Sequence, residues 1–148
     1  MGEFAKLMNK VPAAILRSPL HPFMSGRYLL LTFTGVKSGK TYVTPVAYLT
    51  ENDAFLMTTD SPWWKNFKGG APVALRVKGR EYEGIGEAVT DHAEVTRVLG
   101  RFLEAQPGYG KFVGVKRDAD GRTDPSYVEE AARGRVVVRV QPTRETSP

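Results

Sequence analysis

Between Tyr28 and Thr90 the chain is cut into short apolar and β-branched segments separated by turns, and no long helix alternates with them. This constrains the fold more than any other feature. It disfavours a doubly wound parallel sheet and favours neighbouring antiparallel strands in a curled sheet or barrel flanked by helices. The expected strands are Tyr28–Thr34, Tyr42–Leu49, Ala54–Thr59, Pro72–Val77 and Glu81–Thr90, with Arg135–Val140 closing the domain as the sixth. Glu51-Asn52-Asp53 and Lys78-Gly79-Arg80 supply tight turns. Gly84 and Gly86 inside a strand predict a bulge or a close backbone approach. Asp91, with Glu94 at capping-box spacing, predicts a helix over His92–Ala105 whose apolar face is Val95, Val98, Leu99 and Phe102. Pro62–Lys68 reads as one helical turn and Pro125–Ala132 as a short helix within an otherwise irregular stretch.

Ahead of this lies an amphipathic helix, Glu3–Arg17, broken near Pro12. Its apolar face packs on the domain or, helped by Lys6, Lys10 and Arg17, lies on an anionic membrane surface. The resulting organisation is an N-terminal helix and linker (1–24), a β-rich domain (25–141) and a polar tail (142–148).

The 148 residues suffice for one domain with its own core. There is no cysteine, which removes disulfides, thiol redox chemistry, iron–sulfur clusters and cysteine zinc sites. Two histidines, His21 and His92, leave little room for a histidine metal centre or histidine acid–base catalysis. The net charge of +5 asks for an anionic partner. No apolar run is long enough to span a bilayer and no secretory signal layout is present, so a cytoplasmic location is expected, with a peripheral contact at the inner face of the membrane as an addition.

Thr34-Gly35-Val36-Lys37-Ser38-Gly39-Lys40-Thr41 ends like a phosphate-binding P-loop, but its first glycine comes one residue late and strand-forming residues follow where a helix is required. The string is therefore a hairpin. Its glycines and lysines suit a phosphate or carboxylate held by backbone N–H groups and ammonium charge, and equally a solvated hairpin tip. Pro45, within a strand, marks an edge or bulge; it either leaves backbone groups for a flat heterocycle or simply protects the edge. In Ser61-Pro62-Trp63-Trp64-Lys65-Asn66-Phe67-Lys68, two adjacent indoles are hard to bury together, so one is expected to face a groove. Asn66 offers a donor and an acceptor to a ring edge, with Lys65 and Lys68 adding charge; a hydrophobic plug with solvated lysines is the plainer alternative.

Gly35-x-Lys37-Ser38-Gly39-Lys40 with Thr44-Pro45, followed by Trp63-x-x-Asn66-Phe67-Lys68 and Pro72-Val73, resembles the deazaflavin-dependent nitroreductase family, part of the flavin and deazaflavin oxidoreductases with a six-stranded antiparallel split β-barrel. The resemblance covers about residues 25–140 and implies that fold. It implies coenzyme F420, a 5-deazaflavin with a ribityl phosphate and an acidic oligoglutamate tail, as cofactor. By the same resemblance Lys37, Ser38, Gly39 and Lys40 hold the phosphate and nearby tail, and Thr44, Pro45 and Val46 line the ring through backbone contacts. Trp63, Asn66 and Lys68 close the groove, with Lys65 between the motif positions. Val36 and Tyr42 stand where the family usually carries arginine, and Arg76, Lys78 and Arg80 are the nearest replacements for the lost charge. On the substrate side the resemblance points to Tyr109 as substrate contact and proton donor and to Phe112 as a pocket wall.

The implied reaction is hydride transfer from reduced deazaflavin to a small organic acceptor: a nitroaromatic, a quinone or an activated enone. An FMN-dependent split-barrel oxidoreductase is the alternative within chemistry. A non-enzymatic binder of anionic membrane or nucleic acid is the alternative outside it, though dispersed basic residues without interleaved aromatics argue against nucleic acid. Both monomers and homodimers are compatible with these features.

Overall fold

The computed structural model describes residues 28–106 and 125–145. The N-terminal helix expected over Glu3–Arg17, and Tyr109 and Phe112, lie outside the described residues. Among the described residues seven strands form one sheet: β1 (Tyr28–Thr34), β2 (Thr41–Ala47), β3 (Leu49–Glu51), β4 (Ala54–Thr59), β5 (Ala71–Val77), β6 (Arg80–Val89) and β7 (Val136–Glu145). The order across the sheet is β2-β1-β5-β6-β7-β4-β3, and every pairing is antiparallel. The helices are α1 (His92–Ala105) and α2 (Pro125–Ala132), and a 3₁₀ segment spans Pro62–Phe67.

The expected split-barrel architecture is found, with seven strands in place of six. The extra strand comes from Tyr42–Leu49, which breaks at Tyr48 into β2 and β3. These two lie at opposite edges of the sheet, yet one residue joins them. The chain thus carries one edge round to the other, and the barrel closes by covalent continuity while β2 and β4 do not pair. Tyr48 is fixed at this crossing: it is buried, its ring meets Phe55 edge-on at 5.9 Å, and its carbonyl accepts a hydrogen bond from Gln106 Nε2 at the end of α1 (3.1 Å). Burial pushes its phenol above the ordinary range, and the nearby Tyr82 adds to the rise.

A second correction concerns the C-terminal strand. It does not stop at Val140 but runs through Pro142 to Glu145, because β6 is long enough to pair with it as far as Tyr82↔Glu145. A bulge at Glu83/Gly84 absorbs the irregularity there, as the two strand glycines foreshadow.

The period-two alternation of the strands divides the core in two. Leu29, Leu31, Phe33, Phe55, Met57, Val73, Leu75, Val138 and Val140 fill the barrel with Phe67. Leu56 and Val137, pointing the other way, meet Val95, Val98, Leu99, Phe102 and Leu103 of α1 and Val128 and Ala132 of α2. The expected cap is present: Asp91 Oδ2 accepts from the Glu94 N–H at 3.0 Å.

α1 is also tied to β3 by charge. Arg97 reaches Glu94 Oε1 at 2.6 Å and Glu51 Oε1 at 2.7 Å, and Arg101 reaches Glu51 Oε2 at 2.9 Å. The hydrogen bonds from Arg97 hold both carboxyls below the ordinary glutamate range and raise the guanidinium in turn. Carboxyls with lowered native pKa values stabilise the fold fully above the unfolded glutamate pKa and lose that contribution as pH falls through the native value. The melting temperature of the wild type is therefore expected to fall more steeply than that of Arg97→Met between pH 6 and pH 3. Parallel curves in thermal melts across that range would remove the network from the stability account.

Candidate functional site

The two motif strings meet in space. The β1–β2 hairpin turns through Gly35–Lys40, where the Gly35 N–H donates to the Lys40 carbonyl (2.8 Å) and the Gly39 N–H to the Gly35 carbonyl (2.9 Å), with Gly39 at φ +68°. The 3₁₀ segment begins where Ser61-Pro62 ends β4; the Ser61 N–H donates to Thr59 Oγ1 at 3.0 Å, and Pro62 takes the first helical position, where no N–H is needed. Asn66 clamps the two together. Its Oδ1 accepts from the Val36 N–H at 2.8 Å, and its Nδ2 donates to the Trp63 carbonyl at 2.8 Å.

Between hairpin and 3₁₀ segment lies a groove of about 810 Å³ lined by Phe33, Gly35–Ser38, Tyr42, Ser61–Trp63, Lys65, Asn66 and Lys68. Its walls are aromatic. Phe33 stacks on Tyr42 at 5.5 Å and contacts Trp63 at 5.7 Å and Phe67 at 5.3 Å. Three lysines, Lys37, Lys65 and Lys68, are among its lining residues. Lys68 Nζ also sits 5.3 Å from the Trp64 ring centre. Of the two indoles, Trp63 lines the groove and Trp64 does not, as the adjacency of the pair suggests.

Trp63 also lines a second, smaller cavity of about 140 Å³ with Tyr28, Thr44–Ala47, Thr58–Asp60 and Arg135. This cavity lies across the seam where β2 faces β4 without pairing. Pro45 belongs to β2, which among the described residues pairs with β1 alone, so its missing N–H falls on an edge strand as expected.

The structure therefore brings Lys37, Ser38, Trp63, Lys65, Asn66 and Lys68 to the groove and Thr44, Pro45 and Val46 to the adjoining cavity. Gly39 and Lys40 line neither. Lys40 instead builds the turn, its N–H donating to Ser38 Oγ at 3.2 Å. Arg76, Lys78 and Arg80 are also absent from both linings; Arg76 is paired with Glu81 at 3.1 Å and Arg80 with Glu145 at 3.6 Å.

Sequence reasoning missed Phe33, Thr58, Thr59, Asp60 and Arg135, and treated Tyr42 only as a lost arginine. Tyr42 has its own place: its hydroxyl is 3.2 Å from Ser38 Oγ, and its ring fills the space where a Cβ on Gly35 would stand, 2.8 Å away. A run of buried apolar residues ending in Thr58-Thr59 at a strand terminus is the one signal that could have marked the second cavity. Among the described residues no group of acidic, histidine or cysteine side chains is placed to hold a metal ion, and no helix is long and apolar enough to cross a membrane.

A model of the F420H(2)-dependent quinone reductase family matches residues 18–119, which include both motif strings. The chain belongs to that family. It is thus an F420-dependent oxidoreductase, and coenzyme F420 is its cofactor. No curated protein matches the enzyme. Among solved structures it is similar to an F420 reductase, with a TM-score of 0.52 and 17% identity over 83% of this chain and 91% of that one. It is likewise similar to an F420-H2 dependent reductase, with a TM-score of 0.52 and 19% identity over 78% and 95%. A conserved hypothetical protein from Mycobacterium tuberculosis gives a TM-score of 0.61 and 18% identity over 91% and 82%. At these identities the structural likeness speaks for the fold.

The donor set fits the cofactor. Three lysines and a serine line one groove, a set of donors suited to a phosphate with an acidic tail. Aromatic walls and Pro62 offer flat apolar surface for a ring system.

Proposed function

We propose that the enzyme holds F420 along the groove and delivers a hydride from the reduced cofactor to a quinone or a related activated acceptor. The observation that carries this reading is the hydrogen bond from the Val36 N–H to Asn66 Oδ1, which joins a cationic hairpin and an aromatic segment into one binding surface. Bound F420 supplies the hydride.

The residues of the chain divide the remaining work. Lys37, Lys65 and Lys68 neutralise the phosphate and tail. Ser38 adds a directed hydroxyl, oriented by Tyr42 and the Lys40 N–H. Gly39 and Lys40 act through the shape of the turn. Thr44, Pro45 and Val46, at the unpaired edge, offer backbone groups to the ring, and Trp63 walls both spaces. Holding the reactants within about 3–3.5 Å and away from water is the protein's main contribution to rate. By the family resemblance Tyr109 is assigned substrate contact and proton donation, and Phe112 the wall of the pocket. The acceptor assignment rests on the family and on a cavity that is part polar, part apolar.

Titration with oxidised F420 and, separately, with FMN tests the reading, with tryptophan fluorescence as readout because Trp63 lines both spaces. Quenching by F420 is expected, weakening with added salt because the lysines are exposed to solvent, with no response to FMN. A response to FMN alone would move the chain to flavin chemistry. A response to neither would overturn the assignment of the groove.

A further inference from the structure

The groove and the smaller cavity are unequal, and one residue divides them. The lysines line only the groove of about 810 Å³, whereas Thr44, Pro45 and Val46 line only the cavity of about 140 Å³. Among the described residues Trp63 alone belongs to both linings. Sites that enclose a ligand of drug size run to about 300–1,000 Å³. The groove is of that size, but the smaller cavity is not, so a three-ring system does not fit beside the β2 edge while the indole stands where it does. The backbone and the ring of Trp63 are held differently. Its carbonyl accepts from Asn66 Nδ2 at 2.8 Å, which fixes the main chain. Its half-buried ring is held by packing, against Phe33 at 5.7 Å and edge-on to Phe67 at 5.9 Å. Among the described residues no hydrogen bond holds the indole N–H. Turning the side chain thus gives up aromatic contacts and no hydrogen bond, while Phe67, completely buried, keeps the 3₁₀ segment in place.

We propose that the Trp63 indole is a movable partition, which turns aside as F420 binds and joins groove and cavity into one cleft, so that the deazaflavin ring reaches the unpaired edge of β2. The inference rests on the F420-dependent reading above. Charge acts at longer range than ring packing, so the phosphate and tail meet the lysines first and the ring seats second. Only molecules with the indole turned aside accept the ring. The observed association rate is then the intrinsic rate scaled down by the open fraction.

Stopped-flow mixing with oxidised F420, followed by the fluorescence of the cofactor, tests this without any turnover. A partition that stands in the way slows association, whereas a fixed wall that stacks on the ring slows dissociation. Trp63→Ala is expected to raise the association rate constant by about 10-fold or more, as an open fraction below about one tenth requires. Trp63→Phe keeps an aromatic ring against Phe33 and Phe67 and is expected to raise it less. It also carries the test if thermal melts show that Trp63→Ala does not fold. Association that is unchanged or slower in the folded variants, with the loss of affinity appearing in dissociation, would overturn the proposal and leave Trp63 as a fixed wall. Failure of F420 to bind the wild type would instead count against the cofactor reading.

Discussion

Phe67→Ala is expected to lower stability by about 3–5 kcal/mol and to remove F420 binding with it. Phe67 is completely buried, with its ring 5.3 Å from Phe33 and 5.9 Å from Trp63. It is the point at which the 3₁₀ segment is anchored in the barrel, and Trp63 and Asn66 ride on that segment. The fit is close on the other side as well: a Cβ on Gly86 would stand 2.8 Å from Phe67 Cδ1. Gly86→Ala is therefore destabilising by overpacking, and adding Phe67→Leu to it should recover part of the loss, because the two changes share one space. Thermal melts of Phe67→Ala, Gly86→Ala, Phe67→Leu and the Gly86→Ala/Phe67→Leu double decide the matter. For a domain of this size the single Phe67→Ala loss corresponds to a fall in Tm of roughly 10–15 °C. A fall of only a degree or two, or additive effects of the pair, would show that the ring does not anchor the segment.

Asn66→Ala separates the site from the fold. The substitution frees the Val36 N–H and the Trp63 carbonyl, both near enough to solvent for water to replace the lost bonds in part. A loss of only about 1–2 kcal/mol of stability is expected. F420 affinity should fall further, by roughly 10- to 100-fold, because the hairpin and the 3₁₀ segment must then be brought together at the expense of binding. Fluorescence titration and a melt of the same sample read the two effects. Asn66→Asp keeps an acceptor for Val36 but adds an anion beside Lys65 and Lys68, so it should also bind F420 poorly. Unchanged affinity in Asn66→Ala would show that the hairpin is held by something other than the clamp.

The strands and the long helix were legible because their signals are local. The apolar run of Phe55, Leu56 and Met57, the Asp91 cap and the turn residues at Asn52-Asp53 and Lys78-Gly79 each act within a few residues. The break at Tyr48 was not legible, because nothing next to Tyr48 interrupts the strand pattern; it follows from the need to carry the chain from one sheet edge to the other. The end of β7 was misplaced for a similar reason, since Pro142 looks like a terminator until the length of β6 is known. Within the site, the motif residues were found through their resemblance to a family pattern, and their convergence follows from one hydrogen bond between residues thirty positions apart. A glycine-lysine hairpin does not reveal which of its lysines lines the groove, and Lys37 does so while Lys40 does not. Arg135 was passed over because an arginine before a run of valines looks like a solvated strand end. Only the pairing of β4 with β7 puts it beside Thr58.

The crossing at Tyr48 also bears on how the sheet manages its edges. An open sheet exposes two edges, each able to recruit a strand from another molecule. Here one edge is β2, interrupted by Pro45, and the other is β3, three residues long and overlain by Arg97 and Arg101 through Glu51. Because Tyr48 runs directly from one to the other, neither edge presents a long flat ladder for strand addition. The seam can stay unpaired without serving as a template for aggregation.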